Sequence, residues 1–320
     1  MFQEDHPLSL WLMKSEIPTI RFLTLTLLMD LPKTHSKVQE AYRSIQLEGP
    51  VPAILNRQID KGQWPYKNNY YTPKYVSTHW SLLLLKELLV DPQTPRFQDG
   101  VEYMLSATTN SIQEHGNQPT PDLQCLWSNI IRYAIFAGRI GDERLTMMIE
   151  LNARSLAENQ CICKYNNYLP CAWGVNRVMW ALAAIPDEKR SSTVKGGLEK
   201  GIQFMLQQYD LLQANYPSPE NKVHPLWFKL SFPLFYQSDI LMTLRILADL
   251  DQLGQPAAQP ALNWLESKRV KNGFWRGSSP FRQRTWPELA DKEETNRWVS
   301  LYAAWILKKA GKKYDQIDPK

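Results

Sequence analysis

The chain of 320 residues has few cysteines and no long apolar run, and both absences narrow its class. Four cysteines are too few for the disulfide scaffold of a small secreted protein. The apolar stretch 82–90 is interrupted by Lys86 and Glu87, and it falls short of the roughly 20 residues that a membrane helix requires. Residues 1–31 lack the basic segment and the cleavage site of a signal peptide. We therefore expect a soluble, cytoplasmic protein without a transmembrane segment.

Strong charge and the short motifs of common enzyme classes are also missing. The formal net charge is +5 and the isoelectric point is about 8.9, without the dense basic patch of a nucleic-acid-binding protein, so we expect no nucleic-acid partner. There is no Gly-rich phosphate loop, no Gly-x-Ser-x-Gly sequence and no His-Glu-x-x-His sequence. Any chemistry must therefore come from residues that the fold brings together.

Helical periodicity runs through almost the whole sequence. Apolar residues recur at spacings of three and four, for example in 20–28, 82–89 and 241–250, and no stretch shows the sustained alternation of a strand. The 22 prolines fall mostly between these segments, as helix breakers or first-turn residues. The pattern predicts helices at about residues 16–31, 35–47, 50–59, 75–90, 94–109, 122–138, 142–158, 171–185, 191–212, 236–253, 256–269 and 294–310.

A near-repeat at the two ends of the chain indicates a helical repeat protein. Residues 58–64 read Gln-x-x-x-Gly-x-Trp, and residues 269–275 keep the Gly and the Trp but have Arg269 in place of the Gln. From about residue 75, strongly apolar helices alternate with amphipathic ones, and the first repeats are about 46–47 residues long. Alternating inner and outer helices of this period predict an all-α double ring, an α/α toroid. We expect residues 49–320 to form the toroid and residues 1–48 to form a HEAT-like helical cap.

Several of these segments resemble known families. The segment 58–64 is similar to the QW motif of squalene and oxidosqualene cyclases, and 269–275 is a degenerate copy. Nearly the whole chain resembles a little-characterised bacterial family of squalene-cyclase-like proteins, sometimes mislabelled as nitrogen-fixation proteins. The resemblance implies the α/α toroid of terpenoid cyclases and prenyltransferases but no particular reaction. The segments that carry it are 49–55, 70–75, 182–190, 232–239 and 296–301.

The chain departs from these families at the residues that carry their chemistry. The Asp-x-Asp-Asp acid of protonating triterpene cyclases is absent, and the nearest sequence, 249–252, ends a predicted helix. The Asp-Asp-x-x-Asp motif of ionising terpene synthases is absent as well. The Asp, Cys and His that hold zinc in protein prenyltransferase β subunits cannot all be matched. The resemblance therefore supports the architecture more than any activity.

Two side chains are candidates for acid–base catalysis. Asp239 follows three aromatic residues at the start of an apolar helix, where removal from water would raise its pKa and suit it to protonate an olefin. His79 lies one helical turn after Tyr75 and could move protons. Each residue also has a structural interpretation: Asp239 can stabilise a helix N-terminus, and His79 can be a hydrogen-bonded residue of an aromatic helix start.

Aromatic and charged residues near the starts of the inner helices are expected to line a central cavity. Tryptophans anchor repeat packing, but they also line pockets for polycyclic apolar ligands. An arginine beside a tryptophan can hold an anionic group with two hydrogen bonds, or it can serve as a capping or surface residue. The candidate ligand-binding residues are Tyr71, Lys74, Tyr75, Trp80, Asp122, Trp173, Arg177, Tyr236, Arg297 and Trp298.

The cysteines are distributed unevenly. Cys161, Cys163 and Cys171 fall within eleven residues, and Cys125 would neighbour them across adjacent repeats of a toroid. Their spacing is not the Cys-x2-Cys of a zinc ribbon. One hypothesis is a thiolate metal site, with zinc as the candidate cofactor and His115 or Asp122 completing it. The other is that the thiols are buried or idle.

The sequence as a whole predicts a terpenoid-cyclase-like protein whose central cavity binds an apolar small molecule of isoprenoid type, with acid–base chemistry and no diphosphate ionisation. One alternative is a non-catalytic scaffold that binds a peptide or protein. Another is a carbohydrate-active toroid, which needs two carboxylates facing each other across the cavity. A closed aromatic chamber that contains Asp239 would favour the terpenoid-cyclase-like protein. A filled centre would favour the scaffold, and a shallow polar bowl would favour the carbohydrate-active toroid.

Overall fold

A computed structural model describes residues 2–65, 69–115, 122–270 and 272–312, and their secondary structure is helical. Within these ranges there is no β-strand, only isolated bridges, so the predicted all-α class is confirmed. The π-helical turns Thr24–Leu28 and Phe204–Gln208 prolong the α-helices Pro18–Leu23 and Ser192–Gln203. The helices are α1 (Pro7–Met13), α2 (Pro18–Leu23), α3 (Ser36–Leu47), α4 (Pro50–Asn56), α5 (Thr78–Glu87), α6 (Pro95–His115), α7 (Gln124–Phe136), α8 (Glu143–Asn159), α9 (Ala172–Ala183), α10 (Ser192–Gln203), α11 (Ile240–Asp249), α12 (Gln259–Ser267) and α13 (Lys292–Lys309).

Some helix boundaries differ from the predicted ones for local reasons. Helix α1 was not predicted; it begins at Pro7, after His6, whose Nδ1 accepts the Leu8 backbone N–H at 3.2 Å. The helix predicted over 75–90 begins only at Thr78, because Tyr75 has a φ of 80°, which a right-handed helix does not admit. The helix predicted over 236–253 begins only at Ile240, because the backbone of its N-cap residue, Asp239, is extended.

The helices pack in two layers. Helices α5, α7, α9, α11 and α13 form the inner layer, and each contacts the next. Most of their residues are buried, as expected of helices that are covered on most sides. Helices α6, α8 and α10 pack against one another in an outer layer, and α12 packs on α11 and α13. Largely buried helices thus alternate along the chain with helices that are exposed on one face, and the toroid stays a prediction.

The N-terminal segment lies between the first and the last inner helix. Helix α2 contacts α13, and the Thr19 hydroxyl donates to the carbonyl of Leu88, just after α5, at 2.6 Å. Near the end of α13, Lys308 Nζ donates to the carbonyls of Leu27 and Leu28 at 2.9 Å each. Buried residues of this segment belong to the same apolar core as the inner helices. The division at residue 48 stays a prediction.

The two Gly-x-Trp segments, 58–64 and 269–275, fold alike. In each, a backbone hydrogen bond of 2.8 Å closes the turn. Each glycine has a positive φ, 79° for Gly62 and 86° for Gly273, a conformation in which a Cβ is strained. At Gly62 a Cβ would also lie 2.3 Å from the backbone of Asp99, so only glycine fits. The near-repeat in the sequence is thus a repeat in structure.

Candidate functional site

Aromatic side chains gather where the chain enters the inner helices α5 and α11. We call this group, Tyr71, Tyr75, Trp80, Phe235, Tyr236 and Phe281, the aromatic cluster. Tyr75 is buried at its middle, stacked on Phe235 with ring centroids 4.5 Å apart and 4.4 Å from Phe281. Trp80 is buried beside Tyr71, which is only partly buried, as is Tyr236. The cluster therefore has a buried base and a partly exposed outer surface.

Lys74 lies across the outer surface of the aromatic cluster. Its ammonium is 5.1 Å from the ring centroid of Tyr236 and 5.7 Å from that of Tyr71, within the range of a cation–π interaction. No carboxylate of the described chain pairs with Lys74. Trp173 extends the surface, with its ring 6.5 Å from Tyr236 and 5.3 Å from the exposed His224. The predicted residues Tyr71, Lys74, Tyr75, Trp80, Trp173 and Tyr236 thus come together, at one end of the inner helices.

His79 is fully buried in a polar network beneath the aromatic cluster. Its Nδ1 lies 3.3 Å from the Tyr133 hydroxyl, and its Nε2 lies 3.3 Å from the Asn129 amide nitrogen. Burial, together with the positive charge of Arg177, lowers the pKa of His79 to about 3. The imidazole is therefore neutral near pH 7 and held on both sides by protein groups.

Asp239 is the N-cap of α11 and is buried. Its Oδ1 accepts the backbone N–H of Met242 and its Oδ2 accepts that of Ser231, each at 2.8 Å. Burial raises the pKa of Asp239 to about 7, against these two donors and the charge of Arg177, which lower it. Both interpretations made from the sequence thus hold in part: the carboxyl faces inward and is desolvated, and it also caps a helix.

A small cavity of about 40 Å³ lies among the inner helices. Its wall is formed by aromatic rings, namely Trp180, Phe232, Trp298 and Tyr302, and by aliphatic side chains of α5 and α11. Four charged residues also line it: Glu87, Arg177, Asp239 and Arg245. A water needs at least about 10–15 Å³ on this scale, so the space suits roughly three water-sized groups.

An ionic cluster surrounds Trp180 next to this cavity. The carboxylate of Glu87 pairs with Lys86 and Arg245 at 2.8 Å and with Arg132 at 3.6 Å. The site residues predicted from the sequence do not include Glu87, Arg132 or Arg245, which lie on α5, α7 and α11. A signal was present, because each is a charged residue inside a strongly apolar helix, where a charge is rare unless it is paired.

Arg177, on α9, is completely buried at the cavity. Its Nη2 donates to the carbonyl of Gln237. Its Nε and Nη1 have no hydrogen-bond partner in the described part of the chain. Burial lowers the pKa of Arg177 to about 10, which still leaves the guanidinium charged near pH 7. The residue predicted to hold an anion is thus an unsatisfied buried donor, not a capping residue.

Arg297 and Trp298 have different environments although they are adjacent in sequence. Arg297 pairs with Glu294 and, at 2.7 Å, with Glu293, and Glu294 in turn accepts a hydrogen bond from Ser15. Arg297 is therefore not among the residues that line the cavity; it ties α13 to the N-terminal segment. Trp298 lines the cavity and stacks on Phe232, with ring centroids 3.9 Å apart.

The four cysteines are close together as free thiols. A hydrogen bond from Cys171 and two backbone N–H groups lower the pKa of Cys163 to about 6, while burial raises that of Cys125 to about 12. Asp122 lies nearby but is paired with Lys164 at 2.5 Å. Among the described side chains, no group of three His, Cys, Asp or Glu is arranged to hold a metal ion, and the side chain of His115 lies outside them. The zinc hypothesis thus gains no ligand group in this part of the chain.

No family model matches this sequence, and neither a curated protein nor a solved structure matches it. The resemblance to squalene-cyclase-like proteins therefore stays a prediction. Of the helices that the structure describes, none combines the length and the apolar character needed to cross a membrane.

Proposed function

We propose that the two helical layers form an α/α toroid of the terpenoid-cyclase type, closed by the N-terminal segment. Three kinds of contact support this architecture: each inner helix packs on the next, α2 packs on α13, and Thr19 of α2 binds the carbonyl that follows α5. The central cluster supports it as well, because all five inner helices supply a residue around one point. These residues are Glu87, Arg132, Trp180, Arg245 and Tyr302.

We propose that this toroid is a binding scaffold and not an isoprenoid cyclase. The observation that carries the proposal is the size of the cavity among the inner helices in the described part of the chain: its volume of about 40 Å³ is far below the roughly 300–1,000 Å³ of pockets that enclose a small molecule. The titratable groups are also engaged. Glu87 is bound by three cations, and both oxygens of Asp239 accept backbone N–H groups. A carbohydrate-active site would need two free carboxylates, which these are not.

The binding surface that we propose is the outer side of the aromatic cluster. Tyr71, Tyr236 and Trp173 are partly exposed there, and aromatic rings are the residues that most often anchor an interface. Two cations lie beside this surface: Lys74, which pairs with no carboxylate among the described residues, and Arg284, which lies 4.9 Å from the ring of Tyr75. The partner that fits is an extended peptide segment with an acidic residue beside an apolar or aromatic one.

Selection from a random peptide display library on the purified protein tests this proposal. We expect an enriched motif that pairs an acidic residue with an aromatic one. Tyr236→Ala and Lys74→Gln should each weaken its binding at least about tenfold, which is the effect of losing a central contact. Phe228→Ala is the matched control, since this exposed ring packs on Trp264 outside the aromatic cluster. No enriched motif, or binding that the two variants leave unchanged, would refute the scaffold.

Isoprenoid chemistry is the second candidate, and Asp239 is the observation that favours it. Its carboxyl lines the cavity with Phe232 and Trp298, and its pKa near 7 suits a proton donor. The cavity would have to widen to admit a substrate. Incubation with squalene and analysis of the products tests this candidate: a cyclised product that Asp239→Asn abolishes would replace the scaffold proposal.

A further inference from the structure

Positive charge is in excess at the centre of the inner layer. Four cations face the indole of Trp180: Arg132 lies 4.0 Å from its ring centroid, Arg177 5.1 Å, Lys86 5.6 Å and Arg245 5.8 Å. Among the described residues, the buried carboxylates near them are Glu87 and Asp239, and the exposed Asp249 also acts on this group. Four buried or nearly buried cations therefore face two buried anions. Such an imbalance is costly in a low-dielectric interior unless another anion compensates it.

Several unpaired hydrogen-bond donors lie at the same place. Arg177 leaves its Nε and Nη1 without a partner, Arg132 leaves its Nε, and Trp180 leaves its indole nitrogen. All three side chains are more than nine-tenths buried. Buried donors in native proteins almost always have an acceptor. The missing partner is thus an acceptor, and its negative charge would also offset the excess of cations.

The cavity next to these donors limits the size of the acceptor. It provides about 40 Å³, room for roughly three or four heavy atoms. Arg177 and Arg245 line it, and so do the apolar side chains of Phe232, Leu241 and Met242. A guanidinium presents two parallel N–H groups to a planar oxyanion, and the apolar lining suits a short hydrocarbon part. A carboxylate group has this size and this polarity.

We propose that the cavity at Arg177 is a binding site for a carboxylate, either a free acid of about the size of acetate or the carboxylate end of a longer acid. The site is independent of the aromatic cluster, since none of that cluster's rings lines the cavity. A failure of the peptide-binding proposal and a failure of the carboxylate site can thus be told apart.

Thermal unfolding of the whole protein in sodium acetate, with sodium chloride replacing it at constant ionic strength and pH, tests the site. A ligand that binds only the folded state raises the Tm in a saturable way, and at about 100 times its Kd we expect a rise of roughly 5 °C. The same measurement with octanoate distinguishes a free small acid from the carboxylate end of a longer acid. A larger rise than with acetate means that the site takes the end of a longer acid, and an equal or smaller rise means that it takes a free small acid.

Two variants locate the effect. Arg177→Met removes the donors and should abolish the response to acetate. Met242→Phe fills the cavity, keeps every charge, and should abolish the response as well, which keeps the test valid where Arg177→Met fails to fold. Arg297→Met is the matched control: it removes a buried arginine whose carboxylate partners are outside the cavity, and the response should persist.

Saturation-transfer NMR detects the binding of acetate to the wild-type protein directly. In Met242→Phe, used as the control, the transfer signal should be absent. Three results would overturn the site. One is an equal Tm in acetate and chloride together with no transfer to acetate, which means that water satisfies the donors. The second is a response that Met242→Phe retains. The third is a response that Arg297→Met loses to the same extent as Arg177→Met.

Discussion

Trp64 and Trp275 make the same two hydrogen bonds at opposite ends of the chain. Each buried indole nitrogen donates to the carbonyl of the residue ten positions earlier, at 2.7 Å in both cases. Each backbone N–H donates to a hydroxyl of the following inner helix, at 3.0 Å and 2.9 Å. The carbonyls are those of Ile54 and Leu265, and the hydroxyls are those of Thr78 and Ser300.

Replacing Trp64 or Trp275 by phenylalanine should lower the free energy of unfolding by a similar amount. Trp64→Phe and Trp275→Phe each leave a buried carbonyl without its donor and a void where the larger ring was. We expect each to lower the free energy of unfolding by about 2–3 kcal/mol in urea denaturation. Trp264→Phe, at a partly exposed ring, is the control and should cost about 0.5 kcal/mol. Unequal losses at the two sites would contradict their structural equivalence.

Removing the charge of Glu87 should be among the most damaging polar changes in the chain. Glu87→Gln leaves Lys86, Arg132 and Arg245 without their shared carboxylate in a buried setting, and we expect a loss of about 3–5 kcal/mol in the free energy of unfolding. The control is Glu102→Gln, which breaks an exposed pair with Arg144 and should cost no more than about 1 kcal/mol. Similar losses in the two variants would mean that the central cluster is well solvated.

His79 and Asp239 should give opposite dependences of stability on pH. The folded protein does not protonate His79 until about pH 3, whereas the unfolded chain does so near 6.5, so stability falls by about 2 kcal/mol from pH 7.5 to pH 5. Asp239 keeps its proton up to about pH 7 when folded and releases it near 3.8 when unfolded. The contribution of Asp239 to stability therefore rises by a comparable amount as the pH falls from 7.5 to 5.

The two single variants separate these contributions. Relative to the wild type, His79→Gln should lose less stability between pH 7.5 and pH 5, because the loss from His79 is removed, and Asp239→Asn should lose more, because the gain from Asp239 is removed. The lowered pKa values of His6 and Cys163 add a loss that is common to the wild type and both variants. Urea denaturation at a series of pH values measures the slopes. A variant whose slope differs from that of the wild type in the direction opposite to this expectation would show that the pKa shift of the replaced residue is wrong in direction.

Cys163 should react first with a thiol reagent such as 5,5′-dithiobis(2-nitrobenzoate). A pKa near 6 makes it a thiolate at neutral pH, whereas burial holds Cys125 and Cys161 in the thiol form. We expect one fast phase whose rate is constant above about pH 7 and falls below pH 6. Cys163→Ser should remove this phase and Cys125→Ser should not. Stoichiometric zinc in elemental analysis, with no fast phase, would restore the metal-site hypothesis.

Local features of the sequence were sufficient for the fold class and for the near-repeat. Apolar spacing and proline placement predict most helices, because helix formation and termination depend on residues within a few positions of one another. The Gly-x-Trp repeat was visible for the same reason, since its turn and its indole contact involve residues no more than ten apart. Helix α1 was missed because seven residues carry too little periodicity.

The centre of the molecule depended on tertiary structure. Glu87, Arg132, Trp180 and Arg245 are more than forty positions apart from one another and meet only when the inner helices pack side by side. The volume of the cavity also follows from how large side chains interdigitate, which no local pattern encodes. The sequence by itself therefore determined an all-helical chain with a repeated turn and candidate residues at helix starts. Only packing decided which of them face one another, that Arg177 keeps unpaired donors, and that the cavity beside Arg177 has a volume of about 40 Å³.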